Sequence, residues 1–354
     1  MKILKKFFKK PQIIPLDIFF NKILYDQKFG YYSKKNPFGK NGDFITSPNI
    51  SYLFGEVIAI WLVAYWENLK KPKNFSIVEM GPGNGELTRS LIKTFKKFPK
   101  FNNIVNLYLC EKSKVLEKIQ KKNIKEYNVK WISNFNNIKK GPILFLGNEF
   151  FDAIPIKQFK RVKGILYQKH INIDENYMMK EVFKKASKKD VAELKKFNAL
   201  DKLDFIEFPK LGFIEMNKII KKIKKLSGGL LLIDYGYIKQ INQYSMQSVK
   251  QHKKNKIYEN LGEADVTSLV NFELLNSFFR IKKMSTNEIK SQSAFLKKIG
   301  ILYRAEIVSK NMTFKGKSDL YLRLKRLLDP KFMGEIFKVF FAYKKTPKIT
   351  LGFD

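Results

Sequence analysis

Cysteine is almost missing from this chain: Cys110 is the single one in 354 residues. No disulfide framework or thiolate metal site can form, and a reducing compartment is expected. Histidine is nearly as scarce, with His170 and His252 far apart in lysine-rich surroundings. That excludes a zinc site or a Ser-His-Asp triad from the expectations. Arginine occurs only at Arg89, Arg161, Arg280, Arg304, Arg323 and Arg326, although Lys and Arg together number 69 against 32 Asp and Glu, a formal charge of +37. Sequence-specific nucleic-acid readers rely on arginine for bidentate contacts. A surplus of lysine spread along the whole chain, with abundant Ile, Asn and Phe, is what an AT-rich coding sequence gives. It predicts a solvated basic surface that steers toward acidic partners at low salt, and no specific nucleic-acid site. No run of 18 or more apolar residues occurs, so no transmembrane helix is expected. The start, MKILKKFFKKPQ, lacks the long apolar region and cleavage site of a secretory signal, and the arginine and serine of a transit peptide. It reads as a frayed, lysine-rich first turn.

What is present centres on SIVEMGPGNGEL, residues 76 to 87. Gly81, Gly83 and Gly85 follow a hydrophobic strand whose last polar residue is Glu79. Glycine lets the backbone take positive φ and a ligand approach without a Cβ in the way, while the following helix offers unpaired N–H groups. The spacing is E-x-G-x-G-x-G rather than the dinucleotide G-x-G-x-x-G, and Pro82 and Asn84 tighten the loop. An acid at the strand end repels a pyrophosphate and suits a cationic, phosphate-free cofactor. A second strand, VNLYLC, ends at Glu111, about 30 residues on, where Rossmann-like units place the acid that takes the ribose hydroxyls. Two strand-end acids flanking one glycine loop resemble S-adenosylmethionine methyltransferases.

Strands at 76–80, 105–110, 129–132, 142–147 and 228–237 alternate with helices at 86–98 and 114–122, which predicts a parallel, doubly wound α/β sheet with helices on both faces. Before it, helices are expected over 13–29 and 50–66, joined by the loop YYSKKNPFGKNGDFITSP. A long loop of this kind, with few helix formers, is usually functional or ordered by a ligand. Residues 1–70 thus read as an N-terminal helical segment with a cofactor-covering loop, and 71–354 as the catalytic domain. Residues 155–225 read as a lysine-rich insertion on the substrate side and 238–260 as a loop of low information. A helix is expected over 265–279 and a strand over 336–342. FLGNEFFDAIP puts Asn148, Glu149 and Asp152 just after the fourth strand, next to the first, at the ligand edge of such a sheet. Asp152 also reads as the cap of a following helix.

Taken together, GYY at 30–32, GDFITSP at 42–48, FGE at 54–56, VEMGPGNG, NEFFDAIP, LLIDYG at 231–236, GEADVT at 262–267, FLKKIGI and PKFMGEIFKVF resemble the MidA family. This family of class I methyltransferases includes the mitochondrial complex I assembly methyltransferase. The resemblance, over residues 13 to 342, implies a Rossmann-like fold with a mostly parallel seven-stranded sheet. It implies S-adenosyl-L-methionine as donor and a protein arginine in a respiratory complex I subunit as acceptor. Carried onto this sequence, Glu79, Gly81, Pro82, Gly83, Gly85, Glu111 and Asn148 hold the donor, with Thr46 and Ser47 of the covering loop. Glu149 is the expected orienting carboxylate, with Asp152 or Asp43 second; Asp234 and Asp265 match motifs without an assigned role. The readings kept beside this one are a nucleic-acid methyltransferase and a non-catalytic assembly chaperone that binds the donor. No metal is expected. A bacterial cytoplasm is the expected location, with the mitochondrial matrix as alternative, and homodimerisation is left open.

Overall fold

Strands that are apolar along most of their length on both faces cannot face water on either side, and here they form the middle of a sheet. Phe75–Met80 (β1) is buried at each of its positions and Ile143–Asn148 (β4) at all but its last. The computed structural model describes residues 2–34, 36–39, 42–125, 128–344 and 350–354. Its central sheet also contains Val105–Cys110 (β2), Val129–Ile132 (β3), Gly228–Tyr237 (β5), Ser285–Thr286 (β6) and Phe337–Tyr343 (β7). The strands run in the order β6-β7-β5-β4-β1-β2-β3. The pairs β5/β4, β4/β1, β1/β2 and β2/β3 are parallel, and β7 is antiparallel to both of its neighbours. Two more two-residue strands, Val270–Asn271 and Lys290–Ser291, pair with β5 and β7 off this path. The order of strand addition reverses between the parallel neighbours β1 and β4, so their carboxyl ends frame the crevice in which open α/β sheets bind ligands.

Alternate side chains divide between two cores. Ile77, Leu144, Leu231 and Phe341 point to the side covered by the helix Tyr52–Asn68, whereas Val78, Phe145, Leu232 and Phe340 point to the side covered by Lys210–Leu226 and Phe272–Ile281. On the first side Trp61 stacks on Tyr65 and meets the Phe341 ring edge-on. The helix Tyr52–Asn68 is apolar nearly all round because sheet and C-terminal helices enclose it.

Several expectations need correction. The first turn is not frayed: Lys2–Phe7 is helical, and Leu4, Phe7 and Phe8 are buried against Phe19, Phe20 and Leu24. Their i, i+3, i+4 spacing is an amphipathic stripe half hidden by lysines. The expected helix from 13 opens as a strand, Gln12–Pro15, paired with Ile165–Ile173; the helix is Leu16–Tyr25. The segment 155–225 is not one unit. Its strands Lys157–Val162, Ile165–Ile173, Met179–Lys185 and Phe205–Phe208 form an antiparallel sheet with Gln12–Pro15, while Lys210–Leu226 packs Met216, Ile219 and Ile223 into the second core. The C-terminal helix begins at Phe272, where Asn271 caps it by accepting the Leu274 N–H at 3.0 Å. Asp265–Thr267 is instead a strand beside Gln247–Lys250, whose hairpin partner is Lys253–Asn255.

Candidate active site

The carboxyl ends of β1, β2, β4 and β5 bring the strand-end acids to one edge. Glu79 is 4% exposed and accepts a hydrogen bond from the Thr88 hydroxyl, one turn into the helix after the glycine loop. Burial outweighs that bond and pushes the Glu79 carboxyl up to about 8. Gly83 has φ +56°, and a Cβ there would lie 3.2 Å from the Phe38 ring of the covering segment. Gly85, at φ +84°, is the N-cap of the helix Glu86–Phe95. Only glycine takes both positions without strain. Gln120 joins the loop to the second acid: its Nε2 donates to Gly83 O at 2.8 Å and to Glu111 Oε2 at 3.0 Å. The other Glu111 oxygen accepts the Ser113 N–H at 2.7 Å, and burial raises this carboxyl too.

On the opposite side, Glu149 follows β4 with φ +51°, a conformation that costs a non-glycine residue about 1–3 kcal/mol and clusters at functional sites. Its N–H donates to Ile233 O at 2.9 Å, tying the turn to β5. Its Oε1 accepts the backbone N–H of Ser47 at 2.9 Å and Asn148 Nδ2 at 3.2 Å. Burial pushes this carboxyl up to about 8, with the nearby Asp152 adding to the rise. The amide oxygen of Asn148 is buried without a hydrogen-bond partner. One cleft is bounded by Glu79 and Gly81 to Asn84, by Phe38, Thr46 and Pro48, and by Asn148 and Glu149.

The structure does not bring every expected residue to that cleft. Asp43 is 1% exposed; it accepts the Tyr31 hydroxyl at 2.5 Å and the Gln251 N–H at 2.7 Å, and its carbonyl accepts the His252 N–H at 3.1 Å. It fastens the covering segment to the 247–255 hairpin, and it is not among the residues that line the cleft. The Ser47 hydroxyl meets Gln292 rather than the cleft, leaving its backbone N–H as the contributing group. Asp152 caps no helix, since residues 149–156 form a turn. That turn is shaped by Asp234, whose Oδ2 accepts the N–H groups of Phe150, Phe151 and Asp152 at 3.1, 2.8 and 3.3 Å. Thr88, Gln120, Phe38 and Leu87 were not anticipated. Gln120 and Thr88 sit on amphipathic helices where nothing local marks a polar residue as inward-facing.

Residues 57–289 match the model of a family described as "Putative S-adenosyl-L-methionine-dependent methyltransferase". The chain is 25% identical over 352 residues to the protein arginine methyltransferase NDUFAF7, mitochondrial, of Xenopus laevis, with 92% of this chain and 80% of that protein covered. It is 28% identical over 349 residues to the Homo sapiens protein of the same name, covering 91% of this chain and 78% of that one. Its fold resembles that of a COG1565 superfamily member from Burkholderia thailandensis crystallised with S-adenosyl-homocysteine, at a TM-score of 0.80 and 20% identity over 97% of this chain and 89% of that one.

Proposed function

Because the chain belongs to the S-adenosyl-L-methionine-dependent methyltransferase family that its residues 57–289 match, we propose that it methylates an arginine of a protein, on a respiratory complex I subunit during assembly. The observation that carries this reading is the pair of buried carboxyls, Glu79 and Glu149, facing one cleft across a glycine loop. Both are pushed up to about 8, and among the described residues neither accepts a hydrogen bond from lysine or arginine. In a chain with 69 basic residues, such carboxyls are complements for cationic ligands.

The residues fit the donor. Glycines at 81, 83 and 85 hold the loop at positive φ with Phe150, Phe38 and Ile124 packed where a Cβ would stand, Glu79 offers a carboxylate to a cationic group, Glu111 an oxygen to paired hydroxyls, and the Asn148 amide oxygen is buried without a hydrogen-bond partner. Bound there, S-adenosylmethionine would supply an electrophilic methyl on a sulfonium. Glu149 orients the acceptor: a guanidinium stays protonated at neutral pH, and a carboxylate accepting from its planar N–H groups fixes the fork and raises electron density at the attacking nitrogen. Positioning of this kind lowers a barrier by roughly 7–11 kcal/mol at best. The proton released from nitrogen after transfer leaves to water, so no dedicated base is needed.

The relatives from Xenopus laevis and Homo sapiens are named mitochondrial; for this chain we propose a bacterial cytoplasm. Transfer of labelled methyl groups from the donor into the protein fraction of a cell extract tests the reading. Glu149→Gln is expected to keep donor affinity within about threefold and to cut incorporation by roughly a hundredfold or more. Unchanged turnover removes Glu149 from the mechanism, and label entering RNA instead of protein reassigns the acceptor.

A further inference from the structure

Behind Glu149 lies a second acidic group. Asp152, Asp234 and Asp265 are 6%, 0% and 4% exposed, and they come together from the turn after β4, from β5 and from the strand Asp265–Thr267. Their charges are met unequally. Asp234 is satisfied by the three backbone N–H groups of the turn and by the Tyr235 N–H. Asp265 accepts the Tyr32 hydroxyl and the Val266 N–H, each at 2.9 Å. Asp152 is the exception: its Oδ1 is buried and has no hydrogen-bond partner. Burial and the neighbouring Asp234 and Asp265 carboxylates hold its carboxyl well above the usual range. Among the described residues no group of three His, Cys, Asp or Glu is placed to hold a metal ion.

Three tyrosines surround this group. The Tyr235 hydroxyl donates to Thr267 and lies beside Asp152. Tyr32 bonds Asp265, and Tyr25 donates to the carbonyl of Ala153, the residue after Asp152, at 2.9 Å. The Tyr25 and Tyr32 rings stack 5.2 Å apart. All three tyrosines are half-buried beside the buried Asp152, and the stacked Tyr25 and Tyr32 rings each cover one face of the other. Aromatic faces over an acid suit a planar, weakly hydrated cation that stacks and donates in its plane, which describes a guanidinium better than an ammonium. Asp152 and Glu149 sit on one turn, three residues apart, and each raises the other's affinity for a proton or another cation.

We propose, resting on the arginine methyltransferase reading above, that Asp152, with Asp265 and the rings of Tyr25, Tyr32 and Tyr235, forms the subsite that selects the acceptor guanidinium and hands it to Glu149. This makes the acidic and tyrosine motifs around residues 30–32, 148–155 and 262–267 parts of one binding surface for arginine. Cofactor binding does not involve it.

The test uses the full chain saturated with S-adenosylhomocysteine and three probes, the methylamides of Nα-acetyl-arginine, Nα-acetyl-lysine and Nα-acetyl-citrulline, followed by saturation-transfer NMR. The arginine probe is expected to bind, with the isosteric but neutral citrulline probe at least about tenfold weaker. Asp152→Asn should weaken arginine binding about tenfold or more while S-adenosylhomocysteine affinity stays within about twofold. Should that variant fail to fold, Tyr32→Leu, on the covering segment, reads the same loss through the missing aromatic face. Equal binding of arginine and citrulline, or an Asp152→Asn protein that binds arginine as before, overturns the subsite and leaves the methyltransferase reading standing. Absence of S-adenosylhomocysteine binding by the unmodified protein overturns that reading, and the subsite with it.

Discussion

At the ends of β1 and β2, Glu79 and Glu111 receive their donors from Thr88, Gln120 and the Ser113 N–H, all supplied by the helices that follow those strands. At the ends of β4 and β5, Glu149, Asp152 and Asp234 crowd one another, and the Asn148 and Asp152 oxygens lack partners. The first flank is preorganised by neutral groups belonging to the local strand-helix units. The second is a concentration of like charge that its own polypeptide leaves incompletely matched. A preformed half suits a ligand present in every turnover. A half completed only by an incoming cation discriminates among acceptors, because a neutral analogue leaves the buried acids unpaired.

This contrast breaks most severely at Gly83. Gly83→Val would force a β-branched residue to φ +56° and drive its side chain into Phe38, so donor affinity should fall by at least about a hundredfold, roughly 2.7 kcal/mol. Calorimetric titration checks this, with the arginine probe unaffected if the flanks are independent. Protonation sharpens the comparison at intermediate size. Glu79 and Glu149 are raised from an ordinary 4.5 to about 8, so near neutrality a cation that needs either carboxylate displaces a proton. Affinity should climb about tenfold per pH unit per proton released up to about pH 8, then level. The folded chain holds these protons more tightly than the unfolded chain. The corresponding stability is complete below about pH 4.5 and is lost as pH rises through about 8. Melting temperatures at pH 6 and 9 should therefore fall without donor and recover with it; a flat profile removes both shifts. The smallest effect is expected at Asp43→Asn, which keeps the side chain's shape but weakens its charge-assisted bonds to Tyr31 and the Gln251 N–H. A loss of about 1–3 kcal/mol in stability with a few-fold weaker donor binding is predicted from denaturant melts and titration. A selective loss of turnover instead would return Asp43 to the chemistry.

The central sheet could be read from the chain because its strands are continuous apolar runs between glycine and polar breaks, and the boundaries of β2, β3 and β5 coincide with the expected ones. Glu79, Glu111 and Glu149 were equally legible, since an acid closing an apolar strand has few structural reasons to be there. The position of Asp43 away from the cleft was not legible for the opposite reason. Its partner is a backbone N–H at Gln251, 208 residues away, in a stretch whose lysines and asparagines carry no pattern. Asp234 closes an apolar run within its strand but serves the N–H groups of a turn, a role fixed by three-dimensional neighbours alone. The strand Gln12–Pro15 was hidden because its pairing with Ile165–Ile173 is long-range and its apolar residues also fit a helical spacing.

The bond from the Ser47 N–H to Glu149 Oε1 bears on timing as well as position. On the proposed reading of Glu149, an arginine that reaches for that oxygen would compete with the Ser47 amide, coupling arrival of the substrate to loosening of this contact. Afterwards the amide recovers its acceptor only when the methylated product withdraws. If that coupling holds, a substitution in residues 44–50 that touches neither ligand should alter the turnover rate while leaving each binding affinity nearly as it was.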